Sequence, residues 1–191
     1  ILFGLGLFFS LVSTSLIASD KLNTNSYYFF IKHLLFIVIG IFFIIFFSSL
    51  KHEDLIKVSR LLFILFLFLL ILVPFFGIEV KGSKRWIDLP LLPRFQPIEL
   101  LKPFLIVILA SVLSYENNKN IYYKFFLSFL ILIPVTLLLI AQPDVGQTLL
   151  TFLTWLSLIF VSGVNLIIFF TFFILLCFLL LGAIYFFSNK F

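Results

Sequence analysis

Long apolar runs separated by short polar breaks organise this chain. Ile1–Ala18 is uncharged, and Asp20–Ser26 interrupts it. Tyr28–Leu50 is the next run, with Lys32 and His33 close enough to one end to snorkel toward water. Lys51–Arg60 (KHEDLIKVSR) reads as a short charged loop, and Leu61–Phe76 as a third span with Pro74 near its end. Gly77–Gln96 is a polar, basic loop, followed by apolar runs at Pro97–Tyr115 and Lys124–Ala141 with a charged loop, Glu116–Tyr123, between them. Gln142–Gly146 is a tight polar connection. From Val145 to Asn189 no residue is charged. As one helix that stretch would be about 68 Å long at about 1.5 Å per residue, so it must fold back. Ser162–Asn165 is the best place, which predicts spans at Gln147–Val161 and Leu166–Phe187. A hydrocarbon core of about 30 Å needs about 20 helical residues. The pattern therefore predicts an all-α polytopic membrane protein with about seven transmembrane helices, forming one transmembrane domain over residues 1–191.

Composition excludes the alternatives. Of 191 residues, 63% are hydrophobic and 11% charged, against roughly 25% charged in a soluble domain. With a mean hydropathy of +1.30, a soluble fold of this size could not cover its apolar surface. The single cysteine, Cys177, rules out an intrachain disulfide. Thirty phenylalanines, with many Ile, Leu, Lys and Asn, fit an AT-rich coding sequence drifting at lipid-facing positions. There is no methionine, and Ile1 lies inside an apolar run. This predicts a fragment of a longer frame.

The net charge is +5, and its distribution is uneven. If the first helix leaves the cytoplasm, Lys51, Lys57, Arg60, Lys119 and Lys124 lie inside, and a larger basic set lies outside, concentrated between Lys81 and Lys102. That runs against the positive-inside rule. Either the topology is inverted or this segment keeps its cations for an anionic ligand.

Two clusters carry the candidate chemistry. In GSKRWIDLPLLPRFQPIELLK, residues 82–102, Pro97 suits the first helical position and Gln96 the N-cap. Glu99 and Lys102 share a helix face. As an ionisable pair at a membrane helix end, they are either functional or a capping glutamate with a neutralising lysine. Lys84, Arg85 and Trp86 set two cations beside an indole, which suits phosphate oxygens or an interfacial anchor. In AQPDVGQ, residues 141–147, Pro143 and Gly146 fit a turn, and Asp144 can cap the next helix or face a ligand. His33, His52 and Cys177 have no partners at metal-ligand spacing. No phosphate loop, local hydrolase signature or nucleic-acid module is present.

Together the clusters resemble the SEDS family, the FtsW/RodA/SpoVE proteins of bacterial division, elongation and sporulation. Gly82, Lys84, Arg85, Trp86 and Ile87, then Gln96, Pro97, Glu99 and Lys102, match its first signature. Gln142, Pro143, Asp144 and Gly146 match its second, and Ser13 and Ser15 resemble a Ser-x-Ser stretch closing the first helix. Ile98 departs from the family's serine at that position. The phrase from Glu99 to Phe104 is closer to the division branch, FtsW, than to RodA.

The resemblance implies an inverting glycosyltransferase that polymerises lipid II on the outer face of the bacterial cytoplasmic membrane, built on about ten spans with residues 77–96 as a basic outer loop. It implies that Lys84, Arg85 and Lys102 contact the undecaprenyl diphosphate, that Glu99 orients Lys102, and that Trp86, Gln96, Gln142 and Asp144 line the same cavity. Gly82, Pro97, Pro143 and Gly146 would shape the motifs. The implied catalytic Asp belongs to a large outer loop after helix seven, so this piece is expected to lack it and to be inactive alone. No metal ligands are implied, and assistance by a divalent cation stays open. Implied partners are a class B penicillin-binding protein and other division membrane proteins. A lipid II flippase and a non-catalytic scaffold for that penicillin-binding protein remain the alternatives.

Overall fold

The computed structural model describes residues 3–9, 28–80, 83–88, 94–115, 121–163, 167, 169–171, 173–174 and 178. It divides into two compact units, Ile1–Leu55 and Ile56–Phe191. In the first, α1 spans Tyr28–Ser49. Its apolar window has mean hydropathy 2.7 and buries nothing, as expected of a helix that is apolar all round and meets lipid. Phe42 and Phe46 stack one turn apart. Ser49 near its end donates to the Phe46 carbonyl.

The helix α2 spans His52–Phe76. The charged segment predicted as a loop, Lys51–Arg60, is thus largely helical. Glu53 and Asp54 lie in the first turn, where carboxylates favour the helix dipole. The next elements are strands β1, Ile78–Val80, and β2, Ser83–Trp86, then α3, Pro97–Ser114, α4, Ile121–Ala141, and α5, Val145–Val161. Apart from the early start of α2, these helices start and stop within a few residues of the predicted spans, and a turn at Ser162–Gly163 follows α5. Among the described residues four helices, α1 to α4, are long and apolar enough to cross a membrane, while α5 is shorter. Most of the predicted spans at 1–18 and 166–187 lies outside the described residues.

In the second unit, α3 packs on α4 and α5, and α4 packs on α5. Each helix contributes a stripe at three- and four-residue spacing. On α3 it is Ile98, Leu101, Leu105, Leu109 and Leu113; on α4, Leu132, Val135 and Leu139; on α5, Trp155, Leu156 and Ile159. Leu70 and Val73 of α2 join the same core, and Phe66 of α2 stacks on Phe104 of α3 at 5.7 Å. The buried Trp155 indole N–H donates to Ser128 Oγ at 3.0 Å, and Ser128 donates to the Phe125 carbonyl. Two buried polar side chains thereby satisfy each other between α4 and α5.

The polar loop holds a β-hairpin that the pattern did not predict. β1 and β2 pair antiparallel, with Glu79 opposite Lys84 and an irregularity between Ile78 and Glu79. An isolated bridge between Ile87 and Phe95 returns the chain to α3, and Arg94 pairs with Asp88 across the intervening loop at 2.9 Å. The end of α2, the hairpin, the start of α3 and the α4–α5 turn all lie at one end of this unit.

Candidate functional site

The two motif clusters meet at that end. Pro97 stands at the first helical position of α3, after Gln96 in extended conformation. Gln96 makes no side-chain cap. Glu99 does not reach back as a capping residue. Its carboxylate pairs with Lys102 at 2.9 Å and accepts from Gln147 Nε2 at 2.6 Å. Lys102 also donates to Gln147 Oε1 at 2.9 Å. A closed ring of three side chains thus joins α3 to the first turn of α5. The Lys102 side chain is only 18% exposed, so both acceptors offset the cost of burying its charge.

Asp144 is the N-cap of α5, and its side chain accepts from the Gln147 backbone N–H. The cap therefore places Gln147 where its amide can bridge Glu99 and Lys102. Asp144 is also buried, and its carboxylate lies 3.5 Å from Arg85 Nη1. Arg85 Nη2 donates to the Pro143 carbonyl at 2.7 Å. Arg85 Nε is buried and has no hydrogen-bond partner among the described residues. A guanidinium fork fixed on one side, with a donor still unused, is suited to an oxyanion.

The remaining sequence candidates divide. Lys84 is exposed on β2 and faces Glu79 across the hairpin. Trp86 is half-buried opposite Ile78. Gln142 is buried, and its Nε2 donates to the Leu70 carbonyl of α2 at 3.2 Å. The residue four beyond Leu70 is Pro74, which has no N–H to offer. Gln142 thus replaces the missing helical donor and ties the α4–α5 turn to α2. A Cβ on Gly146 would meet nothing within 4 Å, so no close contact demands a glycine there. Gly82, Ser13 and Ser15 lie outside the described residues. Ile98, where the family signature has serine, is 2% exposed and sits in the apolar core. Gln147 was missed as a site residue. Its only signal is position: three residues after a capping Asp, polar, at the head of an apolar helix.

Comparisons with known proteins agree with this layout. The FtsW/RodA/SpoVE family model, described as a cell cycle protein, matches residues 1–191. A probable peptidoglycan glycosyltransferase FtsW of Buchnera aphidicola from Acyrthosiphon pisum is 36% identical over 166 residues, covering 85% of this chain and 41% of that protein. Its counterpart in Haemophilus influenzae is 29% identical over 160 residues, covering 83% and 40%. The crystal structure of the rod shape determining protein RodA of Thermus thermophilus superposes with a TM-score of 0.67 at 26% identity, covering 91% of this chain and 58% of that one. A chain from a peptidoglycan synthase complex that coordinates polymerization and crosslinking gives 0.69 at 25% identity, covering 95% and 54%. The chain spans about two fifths of the length of these curated relatives. With both signatures gathered at one end of a bundle of membrane-spanning helices, the chain belongs to the FtsW/RodA/SpoVE family of multi-pass bacterial inner-membrane proteins.

Proposed function

We propose that this chain is the lipid-diphosphate-binding part of a peptidoglycan glycosyltransferase that polymerises lipid II during division. The observation that carries the reading is the convergence of Arg85, Lys102 and Asp144 through Gln147. Two cations on separate elements are held by carboxylates at one membrane face. Such a pair binds a diphosphate and stabilises the charge that grows on it as the glycosidic bond to it breaks. Glu99 and Gln147 hold Lys102, and Asp144 holds Arg85, so little reorganisation is needed when the diphosphate arrives. The names of the curated relatives, probable peptidoglycan glycosyltransferase FtsW, support this reading. The match to a peptidoglycan synthase complex supports a crosslinking partner, which we take to be a class B penicillin-binding protein.

The test is polymerisation of lipid II by the intact protein, followed by gel separation of the glycan strands. Lys102→Ala and Arg85→Ala should each lower the rate by about 10²-fold or more, the scale for removing a preorganised charge-stabilising donor. Gln147→Leu should fall between these and wild type, because it frees Lys102 without removing it. Unchanged polymerisation in all three variants refutes the assignment. Translocation of lipid II without strand formation by the wild type would refute the polymerase reading in favour of transport.

A further inference from the structure

A polar cavity lies at the end of the same helices opposite the Arg85–Lys102 site. It has a volume of about 320 Å³ and is lined by Arg60 of α2, Ser111 and Val112 of α3, Tyr115, and Tyr123, Lys124 and Leu127 of α4. Arg60 and Phe76 are sixteen residues apart on α2, and Lys124 and Ala141 seventeen apart on α4. At about 1.5 Å per residue the cavity is about 25 Å from the Arg85–Lys102 site, near the other boundary of a hydrocarbon layer. This places it in the other leaflet.

Its chemistry is that of an oxyanion site. Among the described residues, neither Arg60 nor Lys124 has a carboxylate at ion-pair distance. Glu116, the next acidic residue along the chain from Tyr115, lies outside the described residues. Lys124 sits in the first turn of α4, where the free N–H groups and the helix dipole also favour an anion. Ser111 spends its O–H on the Ile108 carbonyl, so it offers lone pairs rather than a donor. The cations and the helix end remain the attracting groups. Val112 and Leu127 add apolar wall, and Leu61, Ile64 and Leu130 are exposed on the same helices. The arrangement offers a charged head site above lipid-facing hydrocarbon.

We infer that this cavity binds a phosphate group, and that the phosphodiester of an anionic membrane phospholipid is its natural source. The inference is independent of the polymerase reading, since none of these residues belongs to the Arg85–Lys102 site. The experiment is native mass spectrometry of the protein in detergent, titrated with phosphatidylglycerol or with diacylglycerol of the same chains. Parallel titrations with inorganic phosphate distinguish a lipid headgroup from a free ion. Wild type should retain one phosphatidylglycerol and discriminate against diacylglycerol. Arg60→Gln with Lys124→Gln should weaken retention by tenfold or more, and Arg60→Lys with Lys124→Arg should restore most of it. Lys51→Gln, which removes an exposed cation that does not line the cavity, should leave retention unchanged. Competition by millimolar inorganic phosphate would support the phosphate site and assign it to the free ion. Equal retention by wild type and the double Gln variant would overturn the inference. So would equal loss in Lys51→Gln, or failure of the charge-conserving pair to bind.

Discussion

Replacing Gln142 by Leu keeps its size but removes the amide that serves the Leu70 carbonyl. Leu70 is fully buried and Gln142 is 4% exposed, so water cannot take over. A buried carbonyl left without a donor costs about 1–3 kcal/mol. The same substitution made together with Pro74→Ala has a different consequence. The alanine brings back an N–H four residues after Leu70, and the helix can satisfy its own carbonyl. Gln142→Leu should then cost no more than about 0.5 kcal/mol, giving a coupling of about 1–2 kcal/mol between positions 74 and 142. Unfolding of the four proteins of the cycle in mixed SDS–detergent micelles measures it, with the buried Trp155 as fluorescent probe. Independent sites add within about 0.3–0.5 kcal/mol. A coupling inside that scatter would show that Gln142 does not replace the helical donor that Pro74 lacks.

Other outcomes follow from single contacts. Ser128→Ala leaves the Trp155 indole N–H without its partner and should lower stability by about 1–3 kcal/mol; with Trp155→Phe already present, the loss should largely disappear in the same unfolding assay. Gly77→Ala would drive a Cβ into the Val73 carbonyl oxygen, so the end of α2 must shift, at about 1–3 kcal/mol, and the melting temperature should fall. Arg94→Gln breaks a pair whose side chains are 61% and 40% exposed; such pairs contribute about 0–1 kcal/mol, so melting should barely change.

What the sequence determined by itself was where α1, α3 and α4 run among the described residues, because the bilayer demands a minimum length of apolar helix and few charges blur their edges. The candidate site was legible for the same reason. In a chain with 11% charged residues, Arg85, Glu99, Lys102 and Asp144 stand out, and the helix start at Pro97 and the cap at Asp144 are local effects of one helical turn. The segment after His52 was misread because its charges look like a loop, while its helical state is favoured by carboxylates in the first turn and by continuity with the span behind it. Only the tertiary structure decided the rest. Strands of three and four residues carry too little pattern to be seen, and pairing makes them. Gln142 and Leu70 are 72 residues apart, and Lys102 and Gln147 are 45 apart. Whether an amide caps a proline-freed carbonyl or cradles a lysine depends on how the helices pack, and packing is set by the Leu, Val and Trp stripes of several helices at once, which no local stretch of sequence contains.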